Sequence, residues 1–234
     1  MKVAEAVKEA ASDNFTIIVH VGCAGTKESI KLGVDAVSAV PSVYYHLSPA
    51  SVEKHWNGII DSTDLPFIIY NIPQLTSFNL PLDLFKRMAA NPKVIGIKNS
   101  EEPVYNMERY RTAAGDDFII FNGSDEQFLG GRLMGANAGI GGTYGTMPEL
   151  FVKLDKLINE NRISEAKDLQ YKINDVIFDL LSLPSLYGAA KNVISQRFGV
   201  NAGVPRSPFL PVDNDEKITA IVNKIEKYIS EAGE

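Results

Sequence analysis

The chain of 234 residues has one cysteine, one tryptophan and fewer basic than acidic residues. A single cysteine cannot form an intramolecular disulfide, so we expect a reducing, cytoplasmic environment. The 23 lysines and arginines against 29 aspartates and glutamates give a net charge of −6. This argues against nucleic acid and membrane partners, because both favour a basic face. No apolar run reaches the roughly 18 residues of a membrane helix, and residues 1–15 predict an amphipathic helix rather than a signal peptide.

Hydrophobic residues are instead concentrated in six short β-rich runs. Most of these runs are apolar on both faces, which is typical of strands covered on both sides of a parallel sheet. They lie at residues 15–21, 34–40, 66–72, 94–98, 118–122 and 138–143. Helical segments separate them at residues 48–61, 81–90, 106–114 and 126–133. This alternation predicts an α/β fold with right-handed crossovers.

After residue 147 the strand pattern stops. Helices are predicted at residues 149–159, 164–183, 185–198 and 216–232. We therefore expect a partial (β/α) barrel over residues 1–147 and a C-terminal helical extension of the same domain over residues 148–234. A closed barrel needs eight strands, and the segment between the first two runs leaves room for only a short helix at residues 26–32. Since six strands leave two unpaired edges, we expect a homo-oligomer, a dimer or a tetramer, to complete the gap.

Reactive side chains in such folds collect where the strands end. Lys98 ends the fourth run after four apolar or glycine residues. Burial there favours a neutral amine that can attack a carbonyl, whereas the alternative is a lysine that extends to solvent. Tyr70 lies near the end of the neighbouring run at residues 66–72, where a phenol can move protons during imine formation or can be an ordinary core tyrosine.

Two further strand ends carry candidate binding residues. Asp125 and Glu126 open a predicted helix after the run at residues 118–122, where carboxylates either bind a ligand or stabilise the start of the helix. The glycine-rich segment 139–145, which includes Gly142 and Thr143, does not have the spacing of a dinucleotide-binding fingerprint. It predicts a tight strand end where the backbone approaches a ligand.

The histidines His20, His46 and His55 share no metal-ligand spacing, although Cys23 lies three residues after His20. We therefore expect no metal and no cofactor. His20 and Cys23 are interpreted as packing residues.

Five segments then carry a resemblance that extends along the chain in order. They are GVDAVSAVPSVYY at 33–45, YNIP at 70–73, GIK at 96–98, NGSDE at 122–126 and GIGGTYG at 139–145. Together they resemble the N-acetylneuraminate lyase branch of the dihydrodipicolinate synthase family. The resemblance implies a TIM (β/α)8-type barrel with C-terminal helices, usually tetrameric. It also implies a class I aldolase that holds a pyruvoyl unit as a Schiff base on lysine.

The resemblance implies roles for individual residues. Lys98 matches the Schiff-base lysine, Tyr70 the proton-shuttling tyrosine, and Ser100 a hydroxyl that contacts the substrate near the imine. Gly123, Asp125 and Glu126 match positions that hold sugar-acid hydroxyls. The last implied substrate-binding positions are the aromatic pair Tyr44 and Tyr45, one of which often reaches a neighbouring subunit's site in the family.

The chain also departs from the family pattern. It starts within the helix after the GSTGE-like loop that binds the pyruvate carboxylate, so we expect an N-terminally truncated, incomplete barrel, and Gly142 replaces a usual serine. We expect a carbon–carbon lyase that splits a 2-keto sugar acid, such as N-acetylneuraminate, into pyruvate and an aldehyde. Its activity should be impaired, since losing one oxyanion donor costs about 10²–10³ in rate. The alternative is a catalytically inactive truncated homologue that persists as a folded oligomer or a binding module.

Overall fold

The computed structural model describes residues 2–12, 14–21, 34–41, 43, 45–213 and 215–233. The chain divides into two compact units. The first, called the sheet unit, comprises Met1–Ser124 and Leu133–Ala138, and the second, called the helical unit, comprises Asp125–Arg132 and Gly139–Glu234. The partition of a single domain at residue 147 stays a prediction.

Six strands form one parallel sheet in chain order, which confirms the six predicted strands. They are β1 (Ile18–His20), β2 (Ala36–Ala39), β3 (Phe67–Asn71), β4 (Val94–Asn99), β5 (Ile119–Asn122) and β6 (Ala138–Gly139). In the register of the sheet, Tyr70 lies beside Lys98, and Asn71 lies beside Asn99. The strand ends that were expected to carry chemistry are therefore adjacent.

Most helices of the sheet unit lie where the amphipathic pattern predicted them, one before β1 and the others after β2, β3 and β4. They are α1 (Lys2–Ala10), α2 (Pro49–Asp61), α3 (Pro73–Thr76), α4 (Leu82–Ala89) and α5 (Asn106–Ala114). The start of α2 shows the local cause, because the Ser48 hydroxyl accepts a hydrogen bond from the backbone N–H of Ser51 and Pro49 occupies the first turn. The short helix α3 was not predicted, and the helix expected at residues 26–32 lies outside the described residues.

One face of the sheet is covered by helices and forms the core of the sheet unit. Trp56 of α2 and Phe85 of α4 are fully buried in this core together with Ile69 and Ile97 of the sheet. Because successive strand residues point to opposite faces, residue 98 points away from this core. The helices thus stabilise one face of the sheet and leave the other for the candidate site.

The helical unit has its own core of buried leucine, isoleucine and valine side chains. Its helices are α6 (Phe128–Leu133, whose last residue belongs to the sheet unit), α7 (Pro148–Asn159), α8 (Ile163–Leu181), α9 (Leu186–Phe198) and α10 (Asp215–Gly233). Arg197, only 3% exposed in its side chain, binds Glu149 of α7 at 3.0 Å and Glu226 of α10 at 2.7 Å. Among the residues that the structure describes, no helix combines the length and the apolar character needed to cross a membrane.

Candidate active site

Lys98 and Tyr70 meet on the face of the sheet that is opposite the helix-covered core. The Lys98 Nζ donates a hydrogen bond to the Tyr70 hydroxyl at 2.7 Å and lies 3.9 Å from the centre of its ring. Neighbouring positions in the β3–β4 register place the two side chains side by side. Lys98 is half-buried rather than largely enclosed as the sequence predicted. An amine and a phenol at this distance can exchange a proton directly.

His20 belongs to the same group of side chains. Its ring packs edge-to-face against Tyr70, with 5.5 Å between the ring centres. Desolvation, and then the positive charge of Lys98, lower the pKa of the His20 imidazole below its ordinary value. This ring contact agrees with the interpretation of His20 as a packing residue, although its side chain is exposed at the end of β1 and its partner is a candidate catalytic residue. Cys23 lies outside the described residues.

Ser100 and Gly123 lie together just beyond the ends of β4 and β5. Ser100 is 6% exposed, and its hydroxyl has no hydrogen-bond partner among the described residues. Lys98 and Ser100 are two residues apart on an extended chain and therefore share a face. A Cβ atom on Gly123 would collide with the Ser100 Oγ and lie 2.9 Å from the Asn99 carbonyl oxygen. Only glycine fits there without displacement, so the backbone of residue 123 approaches Ser100 closely.

A second group of predicted residues lies within the helical unit. Asp125 is 6% exposed. Its carboxylate accepts two hydrogen bonds from Thr143, one from the backbone N–H at 2.7 Å and one from the side-chain hydroxyl at 2.5 Å. The buried Gln170 of α8 donates to the Asp125 carbonyl oxygen at 3.2 Å, and Asn174 donates to the carbonyl oxygen of Glu126 at 3.0 Å. The structure thus brings Asp125 and Thr143 together and anchors their segment on α8.

Three of the remaining predicted site residues, Glu126, Gly142 and Tyr45, lie at exposed positions. The side chain of Glu126 is exposed, and nothing lies within 4 Å of a Cβ placed on Gly142. Tyr45 is 68% exposed, and Tyr44 lies outside the described residues. No group of three metal-ligating side chains occurs within the described ranges.

A cleft of about 540 Å³ lies elsewhere in the sheet unit, lined in part by Gln74, Glu101 and Arg109. The buried Glu101 carboxylate accepts hydrogen bonds from Asn106 at 2.9 Å and from the Tyr110 hydroxyl at 3.2 Å. Burial, and then the Glu101 charge, raise the pKa of Tyr110. The carboxylate is engaged by its own neighbours, and neither Lys98 nor Tyr70 lines this cleft, so we place the candidate chemistry at the lysine.

Sequence reasoning missed two kinds of residue at these sites. Gln170 occupies a buried position of α8, between Leu169 and Ile173. A glutamine on the apolar face of a predicted helix indicates a buried hydrogen bond, because buried polar groups are normally hydrogen-bonded. No sequence feature indicates the contact of His20 with Tyr70, because β1 and β3 are not neighbours in the sheet but are separated by β2.

Solved structures show the class of fold. The Ruminococcus gnavus sialic acid aldolase matches with a TM-score of 0.89 and 40% identity, over 99% of this chain and 79% of that one. CdNal from Clostridium difficile, solved in complex with mannosamine, matches with a TM-score of 0.87 and 32% identity, over 97% and 79% of the two chains. The predicted fold, an incomplete TIM (β/α)8-type barrel with six parallel strands and C-terminal helices, is confirmed.

Sequence comparison then shows the family. The model of the dihydrodipicolinate synthetase family matches residues 1–227. An N-acetylneuraminate lyase from Mediterraneibacter gnavus is 43% identical over 227 residues, which cover 92% of this chain and 72% of that protein. An N-acetylneuraminate lyase from Citrobacter koseri is 38% identical over 220 residues, 91% of this chain and 73% of that protein. The chain belongs to the dihydrodipicolinate synthetase family, as its motifs predicted.

Proposed function

We propose that this protein is a class I aldolase of the N-acetylneuraminate lyase type, which cleaves a 2-keto sugar acid into pyruvate and an aldehyde. The observation that carries the proposal is the contact of 2.7 Å between the Lys98 Nζ and the Tyr70 hydroxyl. Two relatives support the choice of substrate, since one is an N-acetylneuraminate lyase and the other a sialic acid aldolase. A related structure is a mutant of the catalytic lysine of the Ruminococcus gnavus aldolase, which supports a lysine as the nucleophile.

The chemistry begins with the Lys98 amine. Its lone pair attacks the keto carbon, the carbinolamine loses water, and a protonated imine forms. The imine then draws electrons from the bond between the third and fourth carbons as a base removes the proton of the hydroxyl on the fourth. The products are an aldehyde and an enamine, and the enamine takes up a proton before water releases pyruvate and restores the amine. Tyr70 is in hydrogen-bond contact with the amine, which suits it to carry these protons.

Substrate binding is proposed for Ser100 and Gly123 and for further positions along the chain. The Ser100 hydroxyl has no protein partner among the described residues, so it can bind a substrate oxygen. The backbone at Gly123 approaches it closely. The sugar hydroxyls are assigned to Asp125 and Glu126, which match such positions in the family pattern. The other proposed substrate-binding positions are Gly142 and Thr143 of the glycine-rich segment and the aromatic pair Tyr44 and Tyr45. The proposal needs no metal or cofactor and includes self-association as a dimer or a tetramer.

The test is the release of pyruvate from N-acetylneuraminate by the purified chain. Lys98→Met should abolish release, because the nucleophile is removed. Tyr70→Phe should lower kcat by about 10²–10⁴, the usual contribution of a positioned acid or base. A folded wild-type chain that releases no pyruvate from any 2-keto sugar acid would favour the catalytically inactive homologue instead.

A further inference from the structure

We infer that three buried asparagines, Asn71, Asn99 and Asn122, are positioning residues for Lys98 and Tyr70, and we call them the asparagine row. The inference rests on the proposed function. The three are neighbours in the register of β3, β4 and β5, and each is 0% exposed. Two of them directly follow Tyr70 and Lys98 in the chain. The row therefore lies directly behind the candidate catalytic pair, on the helix-covered face of the sheet.

The row places polar side chains on a face of the sheet that is otherwise apolar and buried. Asn71 donates from Nδ2 to the Asn99 Oδ1 at 2.8 Å, and Asn122 donates to the Ser124 carbonyl oxygen at 2.6 Å. The Asn71 Oδ1, the Asn99 Nδ2 and the Asn122 Oδ1 have no partner among the described residues, and unpaired buried amide atoms cost stability. Two residues earlier, the same face carries fully buried isoleucines, at Ile69, Ile97 and Ile120. A core selected for stability alone would continue with such apolar side chains.

The backbone of the row holds the proposed substrate-binding residues. The carbonyl oxygen of Asn71 accepts a hydrogen bond from the Ser100 N–H at 2.9 Å. The carbonyl oxygen of Asn99 accepts one from the Gly123 N–H at 2.8 Å. The side-chain bond between Asn71 and Asn99 fixes β3 against β4 at the level where these contacts are made. One row thus sets the spacing of the lysine from the tyrosine and the positions of Ser100 and Gly123.

The test is the double variant N71L/N99L in the full chain. It removes the hydrogen-bonded pair together with its two unpaired atoms, and replacing both partners by apolar groups of similar shape is nearly neutral for stability. The urea midpoint should stay at or above that of the wild type. The rate at which borohydride traps the pyruvate imine should fall by about 10- to 100-fold, because a displacement of about 1 Å costs up to that much. Asn122→Leu, a milder change at the end of the row, should slow trapping in the same direction.

The matched control is Trp56→Phe. Trp56 is fully buried in the same core, and its Nε1 also has no partner among the described residues, but it lies outside the proposed site. This variant should lower the urea midpoint and leave the trapping rate unchanged. A double variant that is stable and traps pyruvate at the wild-type rate would overturn the inference. So would a control that loses rate as strongly as the double variant.

A measurement without pyruvate separates this inference from the proposed function. Acetylation of Lys98 by trace acetic anhydride, followed by mass spectrometry over a range of pH, reports the surroundings of the amine. If the wild type traps no pyruvate, the proposed function fails, and the acetylation profile still decides the role of the row. A profile that shifts in N71L/N99L supports positioning, and an identical profile overturns it.

Discussion

Gly123→Ala tests the close approach between the ends of β4 and β5. The new Cβ would collide with the Ser100 Oγ and lie 2.9 Å from the Asn99 carbonyl oxygen and 3.0 Å from the Ser100 Cβ, where ordinary contacts begin near 3.4 Å. Rotation of Ser100 moves its Oγ away but moves neither its Cβ nor the backbone of Asn99. Overpacking of this kind costs about 1–3 kcal/mol. For a chain of this length each kcal/mol lowers Tm by about 2–4 °C, so we expect a fall of about 2–12 °C.

The assay is thermal and urea unfolding of Gly123→Ala together with pyruvate trapping. Trapping should slow as well, because the alanine displaces Ser100. The matched control is Gly58→Ala in α2, where nothing lies within 4 Å of the added Cβ. Alanine inside a helix is favoured over glycine by about 1 kcal/mol, so this control should be at least as stable as the wild type. A Gly123→Ala protein that has the same Tm as the Gly58→Ala control and traps pyruvate at the wild-type rate would refute the close packing of Gly123 against Ser100.

Three further predictions concern charge and ring contacts. Arg197→Met should cost about 2 kcal/mol in urea unfolding, because hydrogen bonds to charged groups are lost at a buried guanidinium. Arg87→Met should lower the urea midpoint less, because solvent and salt screen an exposed ion pair; equal losses would contradict this. Hydrogen bonds from Lys224, and then from Tyr228, lower the pKa of Asp175. Its contribution to stability is therefore full above the unfolded pKa near 3.9 and is lost as the pH falls through the lower folded value. Asp175→Asn should flatten the decline of the urea midpoint below about pH 4, and an unchanged decline would contradict this. His20→Ala should slow pyruvate trapping by about 2- to 10-fold, because an aromatic pair is worth about 0.5–1.5 kcal/mol. His20→Phe keeps an aromatic ring and should restore the rate. If His20→Phe traps pyruvate as slowly as His20→Ala, the ring contact is not the cause.

Much of the fold was predictable because the strands are short, β-rich and apolar on both faces. The sixth strand shows the limit of this reasoning. Residues 138–143 were expected to be extended, but the strand ends at Gly139. The backbone N–H of Thr143 instead donates to the Asp125 carboxylate, and a side chain that binds a backbone group in this way competes with strand pairing. That partner is 18 residues distant in the chain, so local sequence does not show it.

The candidate catalytic pair was predictable for a different reason. Lys98 and Tyr70 each lie at or near the end of a β-rich run, and the ends of adjacent parallel strands lie side by side. The asparagine row and the His20 contact could not be foreseen, because both depend on the register between strands. A one-residue change of register moves a side chain to the opposite face of a sheet, and the sequence pattern alone does not determine it.

In the proposed reaction, the Lys98 amine condenses with a keto acid. The most direct test is to incubate the chain with pyruvate and borohydride, digest it, and locate the modified peptide by mass spectrometry. We expect one reduced pyruvoyl group on Lys98, and none on the Lys98→Met variant. An unmodified Lys98, or modification spread over surface lysines and equal in the variant, would contradict it.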